Sequence, residues 1–229
     1  METLHGGYTL NLCSGAFPLS TDSIALADFV RLPRNAKVLD LGSGCGTLGL
    51  LLCGKDDGCT VTGVEIDENA HHAALENAVR NDLGPRLHSV CTDLCRIPEE
   101  MEPGSFTTCI SNPPYFSGGP QSKTLSTARR EDHCSLVDLF SAASWALRYG
   151  GDFFLVHRPE RLAQICAVAS QHQLEPKRLC LLRHKVGGSV SLILVQCRKG
   201  AKPGLMIEEA ALYNEDNSPT AYYRRLYHI

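Results

Sequence analysis

Several things are missing from this chain, and each absence closes off a class. No apolar run approaches the ~20 residues that a membrane-spanning helix needs, so no membrane anchor is expected. The N-terminus lacks the basic and apolar regions of a secretory signal, which makes the cytoplasm the expected location. No internal repeat or low-complexity tract occurs, which argues against a solenoid or a disordered tail. Among eleven cysteines there is no Cys-x-x-Cys pair. Cys91 and Cys95 stand four apart, with no second pair and no histidines at zinc spacing, so no metal is expected. Cys53, Cys109, Cys166, Cys180 and Cys197 fall inside apolar stretches and read as reduced, buried small hydrophobes. Nothing calls for an obligate protein partner.

What is present suits one α/β unit. The 229 residues are 43% hydrophobic, enough for a sizeable core. Charge is unevenly spread. Residues 1–120 hold 7 Lys/Arg against 15 Asp/Glu, a net of −8, and residues 121–229 hold 15 against 10, a net of +5. A polyanion would meet the later half.

Residues 1–19 read as irregular. A capping cluster at Ser20-Thr21-Asp22-Ser23 then opens a helix over Ile24–Val30 that Pro33 closes. Strands are expected at 36–41, 60–66, 87–91, 106–111 and 152–157, and helices at 47–53, 68–80, 136–148 and 159–172. Gly150-Gly151 is read as the stop of the 136–148 helix. Residues 116–131 show no periodicity and read as a loop. Strands over 178–186 and 189–197 are joined by Gly187-Gly188, a hairpin signal. A short strand at 205–213 and a basic amphipathic helix through Arg224-Arg225 complete the chain. Strand–helix–strand units give parallel strands, so the sheet should be mostly parallel, with one antiparallel strand from the terminal hairpin.

Two stretches carry chemistry. Asp40-Leu41-Gly42-Ser43-Gly44-Cys45-Gly46 follows a strand and opens a helix. Its glycines expose amide N–H groups and admit a ligand close to the backbone. Asp40 would repel a pyrophosphate but welcome an ammonium group. Glu65 ends the next strand, where a carboxylate can accept two ribose hydroxyls, and Asp93 ends the third, placed to accept from an adenine amine. Three acids at successive strand ends favour S-adenosylmethionine over NAD. The second stretch is Asn112-Pro113-Pro114-Tyr115, a proline-stiffened turn at a strand's carboxyl end. It offers an amide carbonyl, backbone carbonyls and an aromatic face, a receptor for a flat ring with an exocyclic amine.

Together these residues resemble a class I S-adenosylmethionine-dependent methyltransferase, with the last motif similar to that of amino-methyltransferases. Phe17-Pro18-Leu19-Ser20-Thr21-Asp22-Ser23, Ala128-Arg129-Arg130-Glu131, His157-Arg158-Pro159-Glu160-Arg161-Leu162 and Glu175-Pro176-Lys177-Arg178-Leu179 narrow the likeness to the tRNA1(Val) adenine-37 N6-methyltransferase family. One departure is Arg130, where the family pattern has His.

The resemblance implies a Rossmann-like fold: a seven-stranded, mostly parallel sheet with helices on both faces. It implies one domain, with a segment 1–35 over the cofactor pocket, a catalytic sheet 36–198 and an extension 199–229. The implied cofactor site is Thr21, Asp22, Asp40, Gly42, Gly44, Gly46, Glu65, Ile66, Asp93, Leu94 and Asn112, with S-adenosylhomocysteine as product. Asn112, Pro113, Pro114 and Tyr115 would be catalytic. The implied substrate is an adenine in a tRNA anticodon loop, with Arg129, Arg130, Lys177, Arg183 and Lys185 as phosphate contacts. Alternatives are a guanine-N2 methyltransferase of ribosomal RNA, a protein-glutamine methyltransferase, and a module that binds S-adenosylmethionine without turnover. About 35 residues precede the first strand, fewer than the extra N-terminal domain that protein-glutamine enzymes carry.

Overall fold

Strands whose residues are apolar on both sides must be covered on both faces, and the computed structural model shows this arrangement. It describes residues 2–4, 7–15, 18–114 and 135–229. The central strands are β3 (Lys37–Leu41), β4 (Thr60–Glu65), β5 (Leu87–Cys91), β6 (Phe106–Ser111) and β7 (Leu147–His157). β8 (Leu174–Lys185), β9 (Val190–Lys199) and β10 (Met206–Tyr213) complete the sheet in the order β10-β8-β9-β7-β6-β3-β4-β5. Only β9 runs antiparallel to its neighbours, as the Gly187-Gly188 hairpin demands.

The sheet has eight strands rather than the expected seven. Residues 206–213 pair in parallel along the whole edge of β8, from Met206 opposite Arg178 to Tyr213 opposite Lys185. The stretch expected to be an extension is thus part of the sheet.

Side chains alternate between faces along each strand. Val38, Val61, Ile110 and Phe154 pack toward α1 (Thr21–Phe29), α2 (Thr47–Lys55) and α3 (Glu68–Arg80). Leu39, Val64, Cys109 and Phe153 pack on the opposite face, with α4 (Ile97–Glu100), α5 (Leu136–Ala146) and α6 (Leu162–Gln171). α7 (Ala221–Tyr227) lies on the α1 face, with Leu226 buried there. No helix among the described residues is long and apolar enough to cross a membrane.

Three local expectations change. α5 stops at Ala146, and β7 starts at once and runs through Gly150-Gly151. The glycines serve a bulge opposite Phe106–Thr108 instead of ending a helix. Gly150 has φ +77°, and a Cβ on Gly151 would stand 2.9 Å from the Thr107 carbonyl. The 159–172 helix begins as a 3₁₀ turn at Pro159–Arg161. Finally, the opening segment is less irregular than expected, because β1 (Glu2–Thr3) and β2 (Thr9–Leu10) pair antiparallel.

The chain leaves β3 toward β4 and β5, then returns to place β6 on the other side of β3. Strand order reverses between β3 and β6, and ligands of open α/β sheets sit at the carboxyl ends of such a pair.

Candidate active site

Both motif stretches end at that reversal. The glycine turn follows β3 and Asn112 follows β6. Ser111 ties the two ends together, its Oγ donating to the Leu41 carbonyl at 2.7 Å. Between them lies a cavity of about 700 Å³, a size that takes a small-molecule cofactor.

The turn is shaped to admit a ligand. Gly42 and Gly44 have φ of +74° and +55°, and a Cβ at either would point into open space. An L-residue could not hold that backbone without strain. The N–H groups of Gly42 and Ser43 both donate to the Val64 carbonyl, and that of Gly44 to Glu65 Oε2 at 2.8 Å. Glu65 Oε1 accepts the Asp67 N–H at 2.9 Å. Each oxygen of Glu65 has two lone pairs, so one per oxygen remains for ligand hydroxyls in a fixed carboxylate plane.

Four acids line the cavity, Asp22, Glu65, Asp67 and Asp93, and no Lys or Arg does so among the described residues. A pyrophosphate would be repelled there, and a ligand with ammonium and sulfonium charges is favoured. Ile66 is 48% exposed and lines the cavity near Leu94 and Ala70. An exposed isoleucine beside an acidic wall suits the face of a flat ring. Asp93 Oδ1 caps the 3₁₀ turn Leu94–Arg96 by accepting the Cys95 N–H at 2.9 Å, so Oδ2 is the oxygen left to accept from a ligand.

Asp40 is placed differently from the wall-lining acids. It is buried on the α1/α2 face of β3, and neither carboxylate oxygen finds a donor among the described residues. Burial first, and the charge of Glu65 second, push its carboxyl up to about 8, so it is mostly protonated at neutral pH. Ser43 lines the cavity, but its Oγ is buried against Gly63 of β4, where a Cβ would stand 2.5 Å from it, and has no partner among the described residues. Buried polar groups without partners are costly. It is the open glycine turn and the acidic wall that fit an adenosyl amino acid.

Asn112 sits at the mouth. Its Nδ2 donates to Ser23 Oγ at 3.0 Å, which orients the amide and presents Oδ1 as its acceptor. Ser23 is held in turn by α1, where the Ser20 side chain caps the first turn by accepting the Ser23 N–H at 3.4 Å. The other end of α1 is clamped by Lys55. Its Nζ donates to the carbonyls of Ala27, Asp28 and Val30 at 2.7–2.9 Å, and burial lowers its pKa. Pro113 and Pro114 also line the cavity.

Of the expected cofactor set, Asp22, Gly42, Gly44, Glu65, Ile66, Asp93, Leu94 and Asn112 line one cavity, whereas Thr21, Asp40 and Gly46 do not. Thr21 turns away to share a 2.8 Å hydrogen bond with Tyr227. Tyr115, Arg129, Arg130 and the 116–131 loop lie outside the described residues. Arg183 bonds Glu209 and the Gly188 carbonyl, Lys185 bonds Asn217, and Lys177, near the start of β8, bonds the Lys202 carbonyl at the opposite rim.

Ser23 and Lys55 escaped the sequence reading, as did Asn77. Asn77 is fully buried on α3; its amide donates to the carbonyls of Asn11 and Cys45 and accepts the Asn11 N–H. Four residues on, Asn81 brackets Thr9 in the same way. The pair pins segment 9–13 against the glycine turn, bringing Leu12 and Cys13 to the cavity wall. The available signal was two asparagines four apart on one helix face.

Comparison with known proteins agrees with this geometry. The model of the methyltransferase small domain family matches residues 19–166. A tRNA1(Val) (adenine(37)-N6)-methyltransferase of Bacteroides fragilis strain YCH46 is 28% identical, covering 93% of this chain and 91% of its own. Its counterpart in strain ATCC 25285 is 30% identical, covering 79% and 76%. Among solved structures, a predicted O-methyltransferase of Agrobacterium tumefaciens superposes with a TM-score of 0.76 at 21% identity, covering 91% of this chain and 96% of that one.

Proposed function

Because this chain belongs to the methyltransferase small domain family, and with it to the tRNA1(Val) adenine-37 N6-methyltransferases, we propose that it methylates N6 of an adenine in a tRNA anticodon loop. The observation that carries this reading is the Asn112 amide, anchored by Ser23 at the mouth of an acid-lined cavity. When bound, S-adenosylmethionine supplies a methyl group on a sulfonium centre and leaves as S-adenosylhomocysteine.

The chain's own residues hold and orient. Glu65 accepts from ribose hydroxyls, Asp93 from the cofactor's adenine amine, and Ile66 and Leu94 flank its ring. Ser43 and the glycine turn take the amino-acid end; Asp40, one layer below, acts indirectly.

An aromatic exocyclic amine is a poor nucleophile because its lone pair is delocalised into the ring. Asn112 Oδ1 and the Pro113 carbonyl accept its two N–H bonds and hold the nitrogen pyramidal, with the lone pair toward the cavity. Orientation of two bound reactants then supplies much of the acceleration. No strong base is needed, since the nitrogen becomes acidic on methylation and loses its proton to water. The target base must leave its stack to reach this pocket, which costs least in a loop. We assign the whole chain to one methyltransferase unit acting in the cytoplasm, where tRNA is found.

Two experiments test the reading. Calorimetry should show S-adenosylhomocysteine binding and no NAD binding; tight NAD binding alone would refute the cofactor. Label from methyl-tritiated cofactor should enter total tRNA as N6-methyladenosine, whereas label in ribosomal RNA or release factor would refute the substrate.

A further inference from the structure

The edge of the sheet carries a row of aromatic rings that the methyl-transfer site does not use. His184 near the end of β8, Tyr213 at the end of β10, and Tyr223 and Tyr227 on α7 follow one another. Their successive ring centroids are 5.1, 5.0 and 4.5 Å apart. β8 and β10 run in the same direction as β6, so His184 and Tyr213 reach the same carboxyl rim as Asn112. The row then turns back along the α1 face. Tyr227 meets Thr21, whose neighbours Ser20 and Asp22 both line the cavity. β10 and β6 are four strand spacings, roughly 20 Å, apart; the three ring steps cover part of that distance, and the Tyr227 hydroxyl closes on Thr21 beside the cavity.

Two cations outside any ion pair among the described residues lie near the row, Arg224 next to Tyr223 in the chain and Lys185 opposite Tyr213. Arg224, exposed on α7, has no carboxylate partner among the described residues. Lys185 forms no ion pair among the described residues: it donates to Asn217 Oδ1 at 3.1 Å, with the Asp216 carboxylate close enough to feel its charge. Their neighbours are neutralised, Arg225 by Asp28 and Arg183 by Glu209. The three tyrosines are half-buried and His184 is exposed. A cluster that only sealed α7 to the sheet would need neither an exposed imidazole at its end nor an exposed arginine without a carboxylate beside it. Ring faces beside cations form the surface that takes single-stranded nucleic acid, where bases stack and phosphates meet the cations.

We propose that this row docks the unpaired RNA flanking the nucleotide that enters the cavity. Bases stack on His184, Tyr213 and Tyr223, and Arg224 and Lys185 meet phosphates. This rests on the tRNA reading above and adds where the RNA lies.

The test is equilibrium binding of a fluorescent anticodon stem-loop RNA to the full chain with S-adenosylhomocysteine present, over a salt series. The double variant Arg224→Ala/Lys185→Ala should bind about 10-fold more weakly, and log Kd against log salt should flatten by about 1.5. Tyr223→Leu keeps apolar volume but loses the ring, and should weaken RNA about fivefold or more without changing affinity for S-adenosylhomocysteine. His184→Ala, at an exposed position, repeats the stacking test should Tyr223→Leu not fold. RNA affinity and salt slope like those of the wild type would overturn the proposal, as would a Tyr223→Leu protein of lower Tm with unchanged RNA affinity. If the variants bind normally while the wild type methylates tRNA, the docking surface alone falls. If the wild type neither binds nor methylates tRNA, the functional reading falls with it.

Discussion

At Asn112, half a turn of one amide separates a site with an acceptor in front from one with a donor there. The bond from Nδ2 to Ser23 Oγ at 3.0 Å favours the first. Asn112→Ala should lower kcat about 100-fold or more, the scale for losing a group that orients or stabilises the reacting centre. Affinity for S-adenosylhomocysteine, measured by calorimetry, should stay within about twofold. Ser23→Ala leaves Oδ1 in place but lets the amide turn, so kcat should fall about 10-fold and Ser23→Thr should restore most of it. An unchanged kcat for Ser23→Ala would show that the amide is oriented by something else.

Asp40 makes a prediction about pH. Burial lifts its carboxyl from 3.8 to about 8, so between those values the folded protein holds a proton that the unfolded chain has released. Stability of the ligand-free protein should therefore fall as pH rises from about 4 to 8, by several kcal/mol in all. Asp40→Asn cannot titrate and should flatten that slope in urea melts. An identical slope in the variant would mean that Asp40 is ionised in the fold.

At the scale of elements, α3 does more than cover the sheet. Asn77 joins segment 9–13 to the glycine turn through three hydrogen bonds made in a fully buried position. Asn77→Ala strands those backbone groups and should cost about 2–3 kcal/mol, at the upper end for buried unsatisfied polar groups. It should also weaken binding of S-adenosylhomocysteine, because the turn loses its outer wall; melts with and without ligand separate the two effects. A variant with lower Tm and normal ligand affinity would limit Asn77 to a structural role.

The strand and helix cores of this region were legible because apolar periodicity and caps are local. Asp67 does cap α3, its side chain accepting the Ala70 N–H at 3.0 Å. Ser23 and Asn77 act over greater distances: Ser23 meets Asn112, 89 residues on, and no local pattern reveals that a buried amide will meet a chain 66 residues away. Gly150-Gly151 misleads for a related reason. Next to a helix, a glycine pair suggests a stop; only the approach of Thr107 from another strand makes it a bulge.

For the molecule as a whole, the reversal of strand order between β3 and β6 explains why two motifs about 70 residues apart in sequence share one cavity. Most of the cavity wall was readable, because acids and glycines at strand ends can only gather at one rim of a parallel sheet. By position Asp40 belongs to that wall, but strand alternation turns it inward instead. The pairing of β10 with β8 was not readable either, since edge addition depends on which edge remains open.

Asn112 must face the reacting carbon, and a crystal structure with S-adenosylhomocysteine bound tests this most directly. The thioether sulfur should lie at the cavity mouth, facing the Asn112 side chain and the Pro113 carbonyl across a space that one methyl group and one ring nitrogen would fill. A sulfur turned toward another cleft, with Asn112 at its back, would contradict the account.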